Sequence, residues 1–325
     1  MEKMANNLIK ISALLSDGNY HTETSMATIL STTSLIVSKL IKKLESYNVL
    51  ISFIKEKGYR LEEPLILLDK IKIKKLLSTK AINIKIFEKI DSTNDALKQA
   101  LLKNRNPTVY LAETQTNGKG RLDRSWYSPF GKNIYLSLAY FMHSNNFNLS
   151  GLSIIVGLAM CAAVEENCQV PNGLKVKWPN DIIANQQKLA GILIETTKNA
   201  NDYTKIIIGI GINVNMLQAD KDAINQPWTS LQKLTGNYID RNQLCALLIN
   251  KILVYLQRFK TQGLQGFMEE WKKRDILFNQ PVRLNSNNLI FCGIGIGINN
   301  QGHLLLQFKD NLKQSFSSGE SNLIK

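Results

Sequence analysis

Three absences narrow the reading of this 325-residue chain before any motif does. The first is a metal or disulfide framework. Four cysteines (Cys161, Cys168, Cys245 and Cys292) are scattered without pairing or ligand spacing, though Cys161 and Cys168 fit one helix face. They read as reduced, mostly buried thiols of a cytoplasmic protein. The three histidines, His21, His143 and His303, are isolated, so no Cys/His cluster suits zinc. The second absence is an apolar run of membrane length. Leu152 to Val164 is the longest nearly apolar stretch, well short of the ~20 residues that span a bilayer, and Met1 to Leu8 carries no signal-peptide core. A soluble protein with no membrane partner is expected. The third absence is catalytic: there is no Ser/His/Asp or Cys/His array and no GxxxxGK[ST] phosphate loop.

What is present suits a globular, basic protein. The hydrophobic fraction is 44 % and the net charge is +14, which permits contact with a polyanion without requiring it. The length allows two domains of about 150 residues, with room for a small third.

Texture divides the chain into residues 1–64, 65–275 and 276–325. In the first, Leu8, Ile11, Leu14 and Leu15 recur at helical spacing, Thr24 to Leu30 is a short helix, and Ser31-Thr32-Thr33 is a cap-rich turn. Ser34 to Tyr47 is an amphipathic helix with Leu35, Leu40, Ile41 and Leu44 inward. Two β-like runs follow, Leu50–Ile54 and Tyr59–Leu61. This order describes a winged helix-turn-helix, whose second motif helix enters the DNA major groove. Ser34, Ser38, Lys39, Lys42 and Lys43 are the candidate DNA contacts, with Lys55, Lys57 and Arg60. A small three-helix domain with a solvated lysine face fits the same pattern. Leu65–Leu77 reads as a connecting helix with a basic face.

The middle zone mixes β-like runs (82–87, 109–113, 134–140, 175–177, 189–195, 205–212) with helices (94–102, 150–167, 241–262). Successive β runs without an intervening helix point to an α+β sheet, not a doubly wound one. The last zone has short β runs at 281–284, 289–297 and 304–308, which suit a small barrel. Its Gly293-Ile294-Gly295-Ile296-Gly297 repeat reads as a bent strand.

Four constellations carry possible chemistry. Asp91-Ser92-Thr93-Asn94-Asp95 follows a β run and opens a helix; Ser92 with Asp95 fits a capping box, and the free amides suit polar ligand atoms. By itself such a piece is more often a plain cap. Gln115-Thr116-Asn117-Gly118-Lys119-Gly120-Arg121, then Arg124 and Trp126, makes a glycine-containing loop with three cations. Such a loop suits phosphate or carboxylate oxygens, and the indole suits a ring; a basic turn without ligand is the alternative. Lys177-Trp178-Pro179-Asn180-Asp181 is a rigid turn, and Lys188 opens the apolar strand that follows. Asp181 suits Mg²⁺ or an incoming amine. Gly209-Ile210-Gly211-Ile212-Asn213 lacks the third glycine of a dinucleotide fingerprint, but lets a backbone approach a nucleotide, with Asn213 facing an adenine edge.

In this order, Gly118–Arg121 with Trp126 and Lys177–Asp181 with Lys188–Gly191 resemble the biotin–protein ligase family in its bifunctional, repressor form, over essentially the whole chain. The resemblance implies a winged helix, a ligase domain like that of lipoate ligases with a mixed sheet, and a C-terminal SH3-like β barrel. It implies biotin and ATP as substrates with Mg²⁺, a biotinyl-5′-AMP intermediate, and transfer to a lysine of a biotin carboxyl carrier protein. It further implies a homodimer on operator DNA. Ser92, Thr93, Asn94 and Gln115 would hold the ureido ring of biotin. Lys119, Gly120 and Arg121 would lie in a loop ordering over the adenylate, and Lys188 would meet the carboxylate and α-phosphate. Gly118, Arg124, Trp126, Asn180 and Asn213 would serve the nucleotide, and Asp181 the transfer step. The Mg²⁺ would come with ATP, not with a protein cage. Three departures stand out. The family's loop reads Gly-Arg-Gly-Arg where this chain has Lys119, Asp123 replaces a following glycine, and Ser34 stands where a basic residue is expected. Lys119 keeps the charge but loses the bidentate fork, so weaker retention of the adenylate is expected. Two other classes compete: a ligand-sensing regulator without catalysis, and a lipoate ligase or octanoyltransferase. The latter would lack the N-terminal unit and, as a transferase, would need a placed cysteine.

Overall fold

The computed structural model describes residues 2–102, 104–143, 149–198, 203–220, 222–309 and 311–324. The side chain of His143 lies outside the described residues. The chain opens with α1 (Glu2–Leu15), α2 (Glu23–Ile29) and α3 (Ser34–Glu45), then an antiparallel hairpin of β1 (Ile51–Ile54) and β2 (Gly58–Leu61). Thr22 and Thr33 cap α2 and α3 by accepting from the backbone N–H of Ser25 and Ile36. The two helices meet at 103°. Leu8, Ile11 and Leu15 of α1 pack in one core with Val37, Leu40, Ile41 and Leu44 of α3. Leu35, expected inward, is 66 % exposed. Val37 takes the inward place, because two residues are about 200° of helical rotation and put Leu35 on the far side.

Residues 65–77 do not form one helix. Only α4 (Lys70–Lys75) is helical, capped by Asp69. Leu65, Leu67 and Leu68 are irregular and buried, the first two in the N-terminal core and Leu68 in the central one. Tertiary partners replace the helical hydrogen bonds. Ile66 N–H donates to the Tyr238 hydroxyl at 2.9 Å, Leu68 N–H to Glu113 Oε1 at 2.5 Å and Asp69 N–H to Asn242 Oδ1 at 2.6 Å. Fully buried Arg241 donates to the Ile66 carbonyl at 3.0 Å and pairs with Glu113 at 2.8 Å. The local apolar period is real, but burial of the leucines and these side-chain partners outweigh it.

After α4 come β3 (Asn83–Ile90), α5 (Thr93–Gln99), β4 (Thr108–Gln115), β5 (Ile134–His143), α6 (Leu149–Asn167), β6 (Lys175–Lys177), β7 (Asp181–Ala184), β8 (Gln187–Lys198) and β9 (Tyr203–Ile212). Then follow α7 (Leu231–Thr235), α8 (Arg241–Gln262) and α9 (Met268–Arg274). The seven strands form one sheet in the order β3-β4-β5-β9-β8-β7-β6, with β3 and β4 parallel and every other pair antiparallel. Alternation sorts the two faces. Leu136, Leu138, Ile206, Ile208 and Ile210 face the core shared with α6 and α8, whereas Ala139 and Ile207 face α5 through Leu97. The face of Ile207 is also the face of Gly209, Gly211 and Ser137. α6 is apolar all round and buried along most of its length, as a helix covered on every side must be.

The C-terminal strands β10 (Pro281–Ser286), β11 (Leu289–Ile298), β12 (Leu304–Gln307), β13 (Lys313–Phe316) and β14 (Glu320–Leu323) form an antiparallel sheet in the order β13-β12-β11-β10-β14. The β11 register shifts between Gly295 and Ile298, so the glycine-alternating run does bend. A Cβ at Gly295 would lie 2.3 Å from the Leu277 carbonyl oxygen. Val282, Leu284, Leu304 and Leu306 belong to the same apolar cluster as the central sheet. Of the cysteines, Cys161 and Cys245 are buried and Cys168 is half-buried. Cys292, expected with the buried ones, is exposed.

Candidate functional site

The sheet register brings the predicted motifs together. Parallel pairing of β3 and β4 sets Ile90 beside Gln115, so the loops after both strands start at one end of the sheet. At the same end β5 and β9 pair Ile134 with Ile212, and β8 and β9 pair Ala190 with Ile212. β7 pairs Asp181 with Gly191. The ends of four segments distant in sequence therefore surround one cavity of about 560 Å³.

One side of the cavity is a neutral polar network. Ser92 caps α5 by accepting from Asp95 N–H at 3.3 Å. Gln115 Oε1 accepts from the Thr93 backbone N–H at 2.9 Å and from its hydroxyl at 3.0 Å. The buried Ser137 hydroxyl lies 2.8 Å from Thr93 Oγ1 and 2.6 Å from Asn94 Oδ1. Asn94 Nδ2 donates to Glu195 at 2.9 Å. Asn94 lies flat on β9: a Cβ at Gly209 would fall 2.3 Å from its Oδ1.

The other side is cationic. Lys188 pairs with Asp181 at 2.9 Å, both largely buried. Arg121 donates to Asn180 Oδ1 at 3.2 Å, and Asn180 Nδ2 donates to the Ile192 carbonyl at 2.8 Å, which fixes the orientation of its amide. Burial pulls the pKa of Arg121 down, with Asp181 and Glu320 opposing. Burial likewise holds the Lys177 ammonium below its ordinary value, partly offset by Asp181. Both cations are thus poorly solvated and would gain from an anion placed among them. The Trp126 indole lies between the two sides. A Cβ at Gly211 would sit 2.3 Å from the ring, so that glycine is required for the indole to lie there. The Lys188 ammonium is 5.7 Å from the Trp126 ring centroid.

Nearly all predicted pocket residues line this cavity: Ser92, Thr93, Asn94, Gln115, Lys119, Gly120, Arg121, Arg124, Trp126, Asn180, Asp181, Lys188 and Asn213. Gly118 does not. It is buried behind the wall, and a Cβ there would meet the Trp126 carbonyl oxygen at 2.6 Å. Asn213 is also held from behind, donating to the Thr229 carbonyl at 3.1 Å. Lys119 pairs with Asp95 at 2.6 Å and Arg124 with Glu320. The DNA candidates lie apart, on α3. Lys39 and Lys42 are exposed there and Ser34 and Ser38 half-exposed. Lys43 is committed elsewhere: it pairs with Glu88 of β3 at 2.7 Å. Sequence reasoning missed Ser137, Trp228 and the 319–322 segment in the wall. Ser137 left a signal, a lone serine inside the largely apolar run of β5. Glu320 left none, because only the packing of the C-terminal sheet brings it to Arg124.

A mixed sheet whose strand ends gather amides, an indole and several cations around one cavity suits a ligand with both a neutral polar and an anionic part. Residues 86–213 match the biotin/lipoate A/B protein ligase family. The chain is 36 % identical to the bifunctional ligase/repressor BirA of Salmonella typhimurium, over 96 % of this chain and 95 % of that one. It is 34 % identical to the protein of the same name from Escherichia coli, over 97 % and 96 %. Among solved structures it is similar to the biotin protein ligase of Aquifex aeolicus in complex with biotin and ATP. The TM-score is 0.64 at 28 % identity, covering 75 % of this chain and 99 % of that one. The chain belongs to the biotin/lipoate protein ligase family.

Proposed function

We propose that the protein is an ATP-dependent biotin–protein ligase that also binds operator DNA as a biotin-dependent repressor. The observation that carries the ligase reading is the cavity itself, with a neutral hydrogen-bonding side facing a poorly solvated cationic side. Ser92, Thr93, Asn94 and Gln115 offer donors and acceptors suited to the ureido ring of biotin, with the buried Ser137 hydroxyl within hydrogen-bond distance of Thr93 and Asn94. Lys188, Arg121 and Lys177 stand where a carboxylate and an α-phosphate would meet. A biotin carboxylate oxygen attacks the α-phosphorus, pyrophosphate leaves, and the cations balance the charge that builds on the phosphorus oxygens. The acceptor lysine of a biotin carboxyl carrier protein then attacks the acyl carbon. AMP leaves and the amine loses a proton, for which Asp181 is the candidate acceptor. Trp126, Asn180 and Asn213 would frame the adenine.

No group of three or more His, Cys, Asp or Glu suited to a metal occurs among the described residues. In this reading Mg²⁺ enters with the nucleotide, and Asp181 and Glu320 are carboxylates in the wall. Residues 1–64 serve as a winged helix-turn-helix, 65–275 as the catalytic domain and 276–325 as an SH3-like domain. Supporting the first are the 103° angle of α2 and α3 and the hairpin that follows. A two-fold homodimer would match a palindromic operator. No single helix among the described residues is long and apolar enough to cross a membrane.

The test is mass spectrometry of a carrier domain incubated with the protein, biotin, ATP and Mg²⁺, beside a Lys188→Ala control. A biotin-sized mass gain on the carrier, lost in the control, is expected. Biotin binding without any gain on the carrier would leave a biotin-sensing regulator and refute the ligase.

A further inference from the structure

We propose that the exposed face of α3 recognises thymine methyl groups in the DNA major groove through Leu35 and Ile36. This rests on the operator-binding half of the reading above and adds the base that is read. Val37, Leu40, Ile41 and Leu44 fix which side of α3 faces its core. The opposite side carries Leu35, Lys39 and Lys42 in one line, at i, i+4 and i+7, with Ile36 beside it. Leu35 is 66 % and Ile36 37 % exposed, and neither belongs to the apolar cluster of the unit.

An exposed leucine is ordinary on a protein surface. The position makes these two informative. They lie in the first turn of the second helix of the helix-turn-helix pair, the turn that meets base edges in this geometry. Hydrocarbon side chains offer neither donor nor acceptor. The apolar feature that a standard base presents in the major groove is the C5-methyl of thymine. Ser34 and Ser38 flank the pair with hydroxyls able to bond either kind of edge.

Charge argues for duplex DNA as the occupant. Lys39 and Lys42, exposed on the same line, suit phosphates beside the groove. The other end of α3 is anchored to the central sheet. Lys43 pairs with Glu88 at 2.7 Å, the Tyr47 hydroxyl donates to Glu88 at 2.6 Å, and Tyr47 stacks on Phe130 with ring centroids 4.1 Å apart. The anchored end leaves the apolar first turn as the exposed end.

The experiment uses the full chain with biotin, ATP and Mg²⁺ to select duplexes from a random library. Affinity for an enriched duplex is then measured by fluorescence anisotropy at one salt concentration. Each thymine is replaced in turn by deoxyuracil, which lacks only the methyl group. Affinity is expected to fall about fourfold at one or two positions per half-site, the loss for taking one CH₂-sized group out of an apolar contact. Leu35→Ala and Ile36→Ala should erase that thymine–uracil difference while keeping the salt slope set by phosphate contacts. Both side chains are exposed, so the variants keep the fold. Equal affinity for every deoxyuracil duplex would overturn the inference and leave operator binding intact; a protein partner for this face would then be the remaining reading. Failure to enrich any sequence would overturn operator binding, and the inference with it.

Discussion

The Lys177–Asp181 turn and the Gly118–Trp126 loop line the same cavity, but they are held in opposite ways. The turn is clamped from behind. Fully buried Trp178 donates from Nε1 to the Gly302 carbonyl at 2.9 Å, Ser321 donates to the Trp178 carbonyl at 2.6 Å, and Ser153 to the Pro179 carbonyl at 2.9 Å. The loop closes mainly on itself, with Gly120 N–H donating to the Arg124 carbonyl at 2.6 Å and Trp126 N–H to the Gly118 carbonyl at 2.8 Å. Its side-chain links to the rest are the Arg121–Asn180 hydrogen bond at 3.2 Å and two ion pairs, Lys119–Asp95 and Arg124–Glu320, whose cations are 43 % and 55 % exposed. At its tip Leu122 and Asp123 have φ of 54° and 56°, a conformation that glycine and asparagine adopt more readily than leucine. One wall is therefore a fixed template and the other can release. An intermediate that must be kept from water and later presented to an acceptor needs both.

The largest test of this contrast is Lys188→Ala on the clamped side. Removing one preplaced cation should cut the adenylation rate by roughly a hundred- to a thousandfold. A pyrophosphate-release assay that showed less than a tenfold change would put the chemistry elsewhere in the cavity. Next is Asp275, buried just beyond α9 and bridged to Val176 of β6, the strand that leads into the clamped turn. Burial pushes its pKa up to about 6 from an ordinary 3.8, against the opposing hydrogen bond from Leu277 N–H. The folded chain therefore holds a proton that the unfolded chain releases between about pH 4 and 6, and stability falls as pH rises through that window. Asp275→Asn should raise stability at pH 8 by up to about 3 kcal/mol. The gain should shrink as pH falls toward 4; denaturation curves showing the same gain at pH 4.5 and 8 would refute the buried-charge cause.

Trp178→Phe is smaller. It leaves the buried Gly302 carbonyl without its donor, a cost of about 1–3 kcal/mol in a denaturant titration. Arg124→Ala is the smallest, below about 1 kcal/mol in stability for so exposed a pair. It should nevertheless speed trypsin cleavage at Lys119 or Arg121, while Trp178→Phe leaves that cleavage unchanged under native conditions. The reverse pattern would mean that the loop, not the turn, is the fixed wall.

Local chemistry made much of the fold legible. The capped helices of the N-terminal unit, α6, α8 and the apolar β runs of the central sheet all follow from periodicity and caps, and the three short runs of the last zone are strands. Where reading failed, distant partners decided. Residues 65–69 abandon the helix for side chains on β4 and α8. β7 is only four residues long and gave no period to read. Lys43 looked like a phosphate contact until Glu88 claimed it. Gly118 looked like a ligand contact because it opens a cationic loop, yet its lack of a side chain serves the packing of Trp126 and Ser128.

By itself the sequence determined which chemistry is available. It supplied cations flanked by glycines, an indole, a rigid Trp-Pro turn and a helix cap, because those capacities are properties of residue types at short spacing. The tertiary structure decided which of them share a cavity, which are clamped and which can release. Those questions turn on strand register and on partners a hundred or more residues away: Trp178 with Gly302, Arg124 with Glu320, Asn94 with Glu195. Spacing along the chain cannot encode such contacts, because they exist only once burial of the apolar faces has brought the strands together.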